Sequence, residues 1–132
     1  MSLLDKIKSR PLPLGQMMGI TFVGAELDKV TATMVVRPDL CTAGNTIHGG
    51  AVMAFADTVG AVGTVINLPA DAKGTTTIES KTNFLGGARE GSTVTATATP
   101  VHRGRRTQVW TTRIETEEGK LVAVVTQTQM VL

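Results

Sequence analysis

The sequence feature that most constrains this chain is the segment HGGAVMAFADTVGAVG, which runs from His48 to Gly63. Apart from Asp57, the residues after its opening His-Gly-Gly are small or apolar. On a helix these side chains cover nearly the whole circumference, and a helix that is apolar all round has to be buried on all sides. The carboxylate and the three internal glycines at 50, 60 and 63 argue against a membrane span. We therefore expect one buried helix at the centre of the fold.

Strand patterns occupy most of the remaining chain. β-Branched and apolar residues predict a hairpin from residues 20–27 and 29–36. After the central segment, four further strands are predicted within residues 75–85, 92–101, 106–116 and 121–132. Antiparallel strands in one sheet share an apolar face, and only the central helix can cover it. The pattern predicts an α+β fold in which a hairpin and a four-stranded meander form an antiparallel sheet wrapped around one long helix.

Length and composition narrow the class of protein. The 132 residues are predicted to form a single domain over 1–132, with residues 1–13 as an N-terminal helix and lead-in. A net charge of +2 is too small to indicate a nucleic-acid partner. The first fifteen residues contain no apolar stretch of signal-peptide length, and we expect no membrane partner.

Cysteine and histidine usage bears on location and metals. The single cysteine, Cys41, excludes an internal disulfide and a Cys-based zinc site, and it favours a reducing, cytoplasmic location. The two histidines, His48 and His102, lie 54 residues apart without a thiol partner arrangement. We therefore predict no metal site.

The His-Gly-Gly and the lone carboxylate form the candidate catalytic site. An ionised carboxylate in a dry core is costly, so Asp57 has to be paired, protonated or beside a cavity. Gly49 and Gly50 mark the first turn of the helix, where backbone N–H groups lack internal partners. A carbonyl docked on the Gly49 N–H would be polarised, and Asp57 could act as general base or nucleophile.

A structural interpretation of the same residues is also open. A His-Gly-Gly can simply let a helix start, and a lone buried Asp can be a structural group that is hydrogen-bonded to Thr or to backbone. Both features on one otherwise apolar helix favour a site. The spacing by itself does not name the reaction.

Three stretches carry a resemblance to a known family. They are HGGAVMAFADTVG, TTTIESKTNFLGGAREG and the C-terminal VHRGRRTQVWTTRIETEEGKLVAVVTQTQMVL. They resemble the hotdog-fold acyl-CoA thioesterases of the phenylacetate-pathway (PaaI-like) type. The resemblance covers residues 14–132, and its most specific motif is the His-Gly-Gly with an acidic residue nine beyond the His. It implies a sheet wrapped around a central helix, chains paired through one continuous sheet as a homodimer or a dimer of dimers, and active sites at the subunit interface.

The resemblance also implies roles for individual residues. Gly49 would supply an N–H to the thioester carbonyl, helped by His48. Asp57, reaching across from the partner subunit, would activate water or attack the carbonyl. A Ser or Thr on the strand after the helix often holds the water in this family, and Thr77 matches that position.

The chain departs from the family pattern just before the helix. Many relatives carry Asn or Gln six residues before the His, where this chain has Thr42, and Asn45 stands three before the His, where Gly is usual. Either Asn45 takes over the substrate contact, or the contact is the Thr42 hydroxyl. Gly50 is counted with these as a substrate-binding residue. The acyl pocket is expected to draw on Met53, Phe55, Phe84 and Leu85.

A basic run lies between two of the predicted strands. It comprises His102, Arg103, Gly104, Arg105 and Arg106. Charge of this kind often marks a solvated hairpin turn, but arginine also presents forked donors that suit phosphate. The resemblance favours the second interpretation, in which His102, Gly104, Arg105 and Arg106 bind coenzyme A, with Arg89 of the loop GGARE as a further phosphate ligand at the same pocket mouth.

The sequence therefore predicts a hydrolase that cleaves the thioester of an aryl- or medium-chain acyl-CoA to free acid and coenzyme A, with no cofactor beyond the coenzyme A of the substrate. An acyl-CoA-binding sensor without turnover is the alternative, and Asp57 argues against it because a pure binder gains nothing from a carboxylate near the carbonyl. The His-Gly-Gly disfavours a hotdog dehydratase. The lack of a G-x-S-x-G motif disfavours a serine hydrolase.

Overall fold

The computed structural model describes every residue from Met1 to Leu132. Its helices are α1 (Leu3–Lys8), α2 (Pro13–Met18) and α3 (Gly49–Val65), with a 3₁₀ turn at Pro38–Leu40. Its strands are β1 (Thr21–Glu26), β2 (Lys29–Val35), β3 (Cys41–Thr42), β4 (Thr46–Ile47), β5 (Thr75–Phe84), β6 (Thr93–Arg103), β7 (Thr107–Thr116) and β8 (Leu121–Val131). The predicted α+β architecture, with one long helix against an antiparallel sheet, is confirmed. None of the helices combines the length and the apolar character that crossing a membrane requires.

The six long strands form one antiparallel sheet in the order β1-β2-β6-β7-β8-β5. The predicted four-stranded meander is therefore wrong in one step, because β5 pairs with β8 and not with β6. The free side of β6 is taken by β2, where Val30 faces Ala98 and Met34 faces Val94 in an apolar register. As a result β5 becomes an edge strand at the far side of the sheet from β1.

The helix α3 packs one face on this sheet. Phe55, Val59 and Val62 lie in the core, and Gly63 lets the Trp110 ring come so close that a methyl group there would collide with it. The opposite face is open, since Met53 is 39% and Val65 is 54% exposed. The prediction that the helix is buried on all sides is wrong for a single chain, because one sheet covers only one side of it.

The N-terminal region differs from its prediction in one respect. The short helix α1 is present where expected, but a second helix, α2, follows it and was not predicted. Pro13 occupies its first turn and Gly19 ends it in the left-handed conformation, with φ 78°. The residues before α3, for which no strand was predicted, form the short β3–β4 hairpin.

Candidate active site

The amino-terminal end of α3 presents one free backbone donor. His48 caps the helix by accepting a hydrogen bond on Nδ1 from the Gly50 N–H at 2.7 Å, so the neutral ring carries its proton on Nε2. The N–H groups of Ala51 and Val52 both donate to the His48 carbonyl. The Gly49 N–H has no acceptor within the chain. The predicted donor is thus available, while the Gly50 N–H is already used by the cap.

An aromatic ring lies beside the Gly49 backbone. A carbon added at Gly49 would stand 3.2 Å from the Phe84 ring edge, and Phe84 is itself 55% exposed. Glycine at this position lets both the ring and an incoming carbonyl approach the backbone. Leu85 and Met53 are exposed as well, but Phe55 is wholly buried in the core. The expectation that Phe55 lines the acyl pocket is therefore wrong, because its side chain is part of the packing between helix and sheet.

The polar residues predicted before the helix lie near the same end. Thr42 pairs with Thr46 in the β3–β4 hairpin, and Thr46 in turn bridges to Arg89. Asn45 adopts a left-handed backbone with φ 57°, and its carbonyl accepts from the Glu90 N–H at 2.9 Å. Because Asn tolerates that conformation better than most residues, the backbone explains why it stands where Gly is usual. Thr42, Asn45 and Arg89 are all exposed.

The carboxylate of Asp57 is held by side chains of two strands. Its Oδ1 accepts hydrogen bonds from Thr77 Oγ1 at 2.7 Å and from Gln127 Nε2 at 3.2 Å. Thr77 Oγ1 accepts in turn from Gln129 Nε2, and Gln129 Oε1 accepts from Thr75 Oγ1 at 3.0 Å. Asp57 is half-buried, so its polar partners compensate for the water it has lost.

The sequence predicted Asp57 and Thr77 but not the two glutamines. Gln127 and Gln129 are fully buried, although both are polar. The sequence pattern of β8 could have identified them. The two glutamines follow Ala123 and Val125 at every second position, which places them on the buried face of the strand. A polar residue in the apolar phase of a strand that covers a helix requires a buried partner.

The basic run lies at the other end of the molecule. It forms the turn between β6 and β7, where the Arg103 guanidinium donates to the Leu27 carbonyl and to Asn67 Oδ1, just beyond the end of α3. The 17 residues of α3 place this turn about 25 Å from Gly49. Arg89 and the run at Arg105–Arg106 therefore do not share one mouth within a single chain, contrary to the expectation.

The remaining reactive side chains do not add a nucleophile or a metal site. Burial, followed by the carboxylates of Glu90 and Asp39, raises the pKa of the Cys41 thiol, which keeps that thiol protonated at neutral pH. The chain brings together no group of three His, Cys, Asp or Glu side chains that could hold a metal ion. The chemistry available at this site is therefore that of one free N–H, an imidazole and a carboxylate.

Comparisons with known proteins decide the family. Residues 44–123 match the model of the thioesterase superfamily. The chain belongs to this superfamily. This thioesterase is 36% identical over 107 residues to a proposed esterase of Haemophilus influenzae, in a match that covers 81% of the chain and 76% of that protein. A 1,4-dihydroxy-2-naphthoyl-CoA hydrolase of Listeria monocytogenes is 29% identical over 111 residues, covering 84% of the chain and 89% of the relative.

The solved structures agree with the family match. The crystal structure of a thioesterase from Haemophilus influenzae superposes with a TM-score of 0.89 and 31% identity, and the match covers all of this chain and 91% of the other. The predicted hotdog fold, the resemblance and the enzyme class, a thioester hydrolase, are confirmed. The family match includes every predicted site residue of this thioesterase except Thr42, and it ends before Gln127.

Proposed function

We propose that this thioesterase hydrolyses the thioester of an aryl- or medium-chain acyl-CoA to the free acid and coenzyme A, in a site shared by two copies of the chain. The observation that carries the proposal is the separation of Gly49 and Asp57. Eight residues of helix place them about 12 Å apart along the axis of α3. One chain therefore cannot bring both groups onto one carbonyl, whereas two chains can.

The chemistry follows from the groups present. The thioester oxygen accepts a hydrogen bond from the Gly49 N–H at the positive end of the helix dipole, with the His48 Nε2–H as a second donor. Asp57 of the partner subunit takes a proton from water, and the hydroxide attacks the carbonyl carbon. The C–S bond then breaks, and the coenzyme A thiolate leaves with the proton from Asp57. Attack by the carboxylate itself is the other route, and a single turnover in ¹⁸O-water would label Asp57 only in that case.

Two exposed features support a homodimer. The edge strand β5 offers an unpaired ladder of ten residues, with Ile78 52% exposed on it. A twofold axis that brings Gly49 of each copy to Asp57 of the other makes the two α3 helices antiparallel and crosses them midway, near Met53. Met53 lies on the open face of the helix. A dimer of dimers stays a further prediction.

The same arrangement suits an acyl-CoA. In an antiparallel pair, the Arg105–Arg106 turn of the partner subunit lies on the same side as Gly49, about 12 Å beyond the reacting carboxylate. Both arginines are exposed, so their guanidinium groups can reach a nucleotide phosphate at the end of a pantetheine arm. The exposed Phe84 ring beside Gly49 suits a flat or linear apolar acyl group. The Listeria relative, a naphthoyl-CoA hydrolase, supports the aryl member of this class.

The proposal is tested by thiol release from a panel of aryl- and alkanoyl-CoA thioesters. We expect the wild type to hydrolyse several of them and Asp57→Asn to lose at least about 10²-fold in kcat, the scale of a catalytic acid–base group. Asp28→Asn, which removes an exposed carboxylate in the turn between β1 and β2, is the matched control and should retain wild-type rates.

Two outcomes would contradict the proposal in different ways. If the folded wild type binds acyl-CoA and hydrolyses no thioester, the chain is a sensor. If Asp57→Asn keeps the wild-type kcat, Asp57 has no part in the reaction.

A further inference from the structure

We propose that Gln127 and Gln129 are positioning residues, which fix Asp57 so that its Oδ2 is the reacting oxygen. The inference rests on the proposed function and concerns two residues that lie beyond the family match at residues 44–123. Both are fully buried on β8, under the middle of α3. Neither touches the helix terminus or the basic turn, so the inference depends only on the contacts around Asp57.

The direction of each hydrogen bond around Thr77 is fixed by Gln129. The amide nitrogen of Gln129 can only donate, so it takes one lone pair of Thr77 Oγ1. The single proton of the Thr77 hydroxyl is then left for Asp57 Oδ1, at 2.7 Å. Thr77 therefore serves first as an anchor for the carboxylate, and it can meet a water molecule only as an acceptor.

The second anchor comes from Gln127. Its amide nitrogen donates to Asp57 Oδ1 at 3.2 Å and lies 3.4 Å from the Asp57 carbonyl oxygen. Both side-chain donors thus converge on the same oxygen of the carboxylate. Because Oδ1 is held by two donors, Oδ2 is the oxygen that remains to take a proton or to attack.

The environment of Gln127 is poorly explained by stability alone. Its Oε1 is buried without a hydrogen-bond partner, and a buried acceptor of this kind is destabilising. The amide also fits only because position 60 of α3 is glycine, since a methyl group there would collide with it. Glycine within a helix has a cost of its own. An apolar side chain of similar volume at position 127 would avoid the unpaired acceptor, although it would still need glycine at position 60. Stability therefore does not explain why position 127 carries an amide, whereas the contact with Asp57 does.

Gln108 provides a matched control. It is equally buried, on the neighbouring strand β7, and its amide accepts from Trp110 Nε1 at 2.9 Å and donates to the Asn67 carbonyl. It forms no hydrogen bond with Asp57 or Thr77, although its backbone lies opposite that of Gln129 in the sheet. Its replacement removes the partner of a buried indole N–H and should lower stability without disturbing the carboxylate.

The test compares Gln127→Met and Gln108→Met for kcat, KM and melting temperature. For Gln127→Met we expect an unchanged or higher melting temperature and a kcat lower by about tenfold or more with KM changed less than about twofold, because the carboxylate loses a donor that fixes its orientation. For Gln108→Met we expect a lower melting temperature with wild-type kcat.

A second pair of variants extends the test. Gln129→Met should also lower kcat with little change in KM, because Thr77 is then free to turn its proton away from Asp57. Gly60→Ala should also lower kcat, by displacing the Gln127 amide. Gly24→Ala on β1, where an added carbon meets only ordinary contacts with Thr31, should leave kcat unchanged.

The failures are distinguishable. A wild type that hydrolyses no thioester overturns the proposed function and this inference with it. An active wild type whose kcat is unchanged by Gln127→Met overturns the positioning role alone. Equal losses of kcat and melting temperature in Gln127→Met and Gln108→Met would do so as well, since they indicate a general effect on folding.

Discussion

The two halves of the candidate site, both on α3, are built in different ways. At the amino-terminal end, the proposed functional group is the Gly49 N–H, which has no acceptor within the chain, while His48 caps the neighbouring Gly50. In the middle of the helix, the proposed functional group is the Asp57 carboxylate, which side chains of β5 and β8 hold by one oxygen. The first half is local in sequence. The second depends on strands that lie 20 and 70 residues further along the chain.

This difference between the helix terminus and the carboxylate shows two ways in which a short chain can position a functional group. A helix terminus polarises a carbonyl with few contacts, because the donor and the dipole are part of the helix. A carboxylate beside an apolar core needs several polar partners to hold one orientation. The helix that carries both keeps them about 12 Å apart, so in the proposed dimer each chain would supply one half to each of two sites.

The largest effect in this comparison is expected from Gly49→Pro. Proline is favoured in the first turn of a helix, and His48 already has the extended backbone that a following proline requires, with φ −70° and ψ 137°. The substitution removes the N–H and should lower kcat by about 10²–10³-fold, as loss of an oxyanion donor does.

Gly49→Ala is the matched variant for this prediction. It places the same added carbon 3.2 Å from the Phe84 ring but keeps the N–H. Its kcat should therefore stay far above that of Gly49→Pro. If both variants have the same kcat, the loss of activity is caused by crowding against Phe84. The Gly49 N–H would then have no part in the reaction.

A smaller effect is expected at the far end of the helix. Replacing Arg105 and Arg106 together by alanine should raise KM for an acyl-CoA by about three- to tenfold and leave kcat unchanged, because exposed ion contacts contribute modestly. The same acyl group on a pantetheine thioester, which lacks the nucleotide, should show no change. Arg113→Ala, on the exposed face of β7, is the control.

The result that would contradict this prediction is a KM for acyl-CoA that stays at the wild-type value in the double variant. The basic turn would then be only a solvated hairpin. A rise in KM with the pantetheine thioester as well would indicate a change in the acyl site.

Local patterns carried most of the fold prediction. Strict alternation identified the strands, and the run of small apolar residues identified α3. The helix α2 was missed because it has only six residues, Pro13–Met18, and so short a segment shows no clear helical periodicity of apolar residues. The place of β5 was missed because its inward face carries Thr and Ser, and no apolar phase indicated which strand it would join.

Site residues were likewise predicted where the evidence is local in sequence and missed where it depends on distant contacts. His48, Gly49 and Asp57 were predicted because their chemistry is visible in one continuous segment. Thr77 came from the family resemblance. Gln127 and Gln129 were missed because their partners are set by a non-local pairing, the one between β5 and β8. Arg89 and the basic turn lie at opposite ends of α3. This separation could not be predicted either, because it depends on how the strands are ordered in the sheet.

The most direct test of the central claim is subunit complementation. Asp57→Asn and Gly49→Pro chains are co-expressed, and thioester hydrolysis by the mixture is compared with each variant alone. If the two halves of a site come from different chains, half of the dimers are mixed and each has one intact site, so activity should return to about one quarter of the wild-type value. If both groups act within one chain, every site stays defective and the mixture remains as inactive as its parts, which would contradict the shared site.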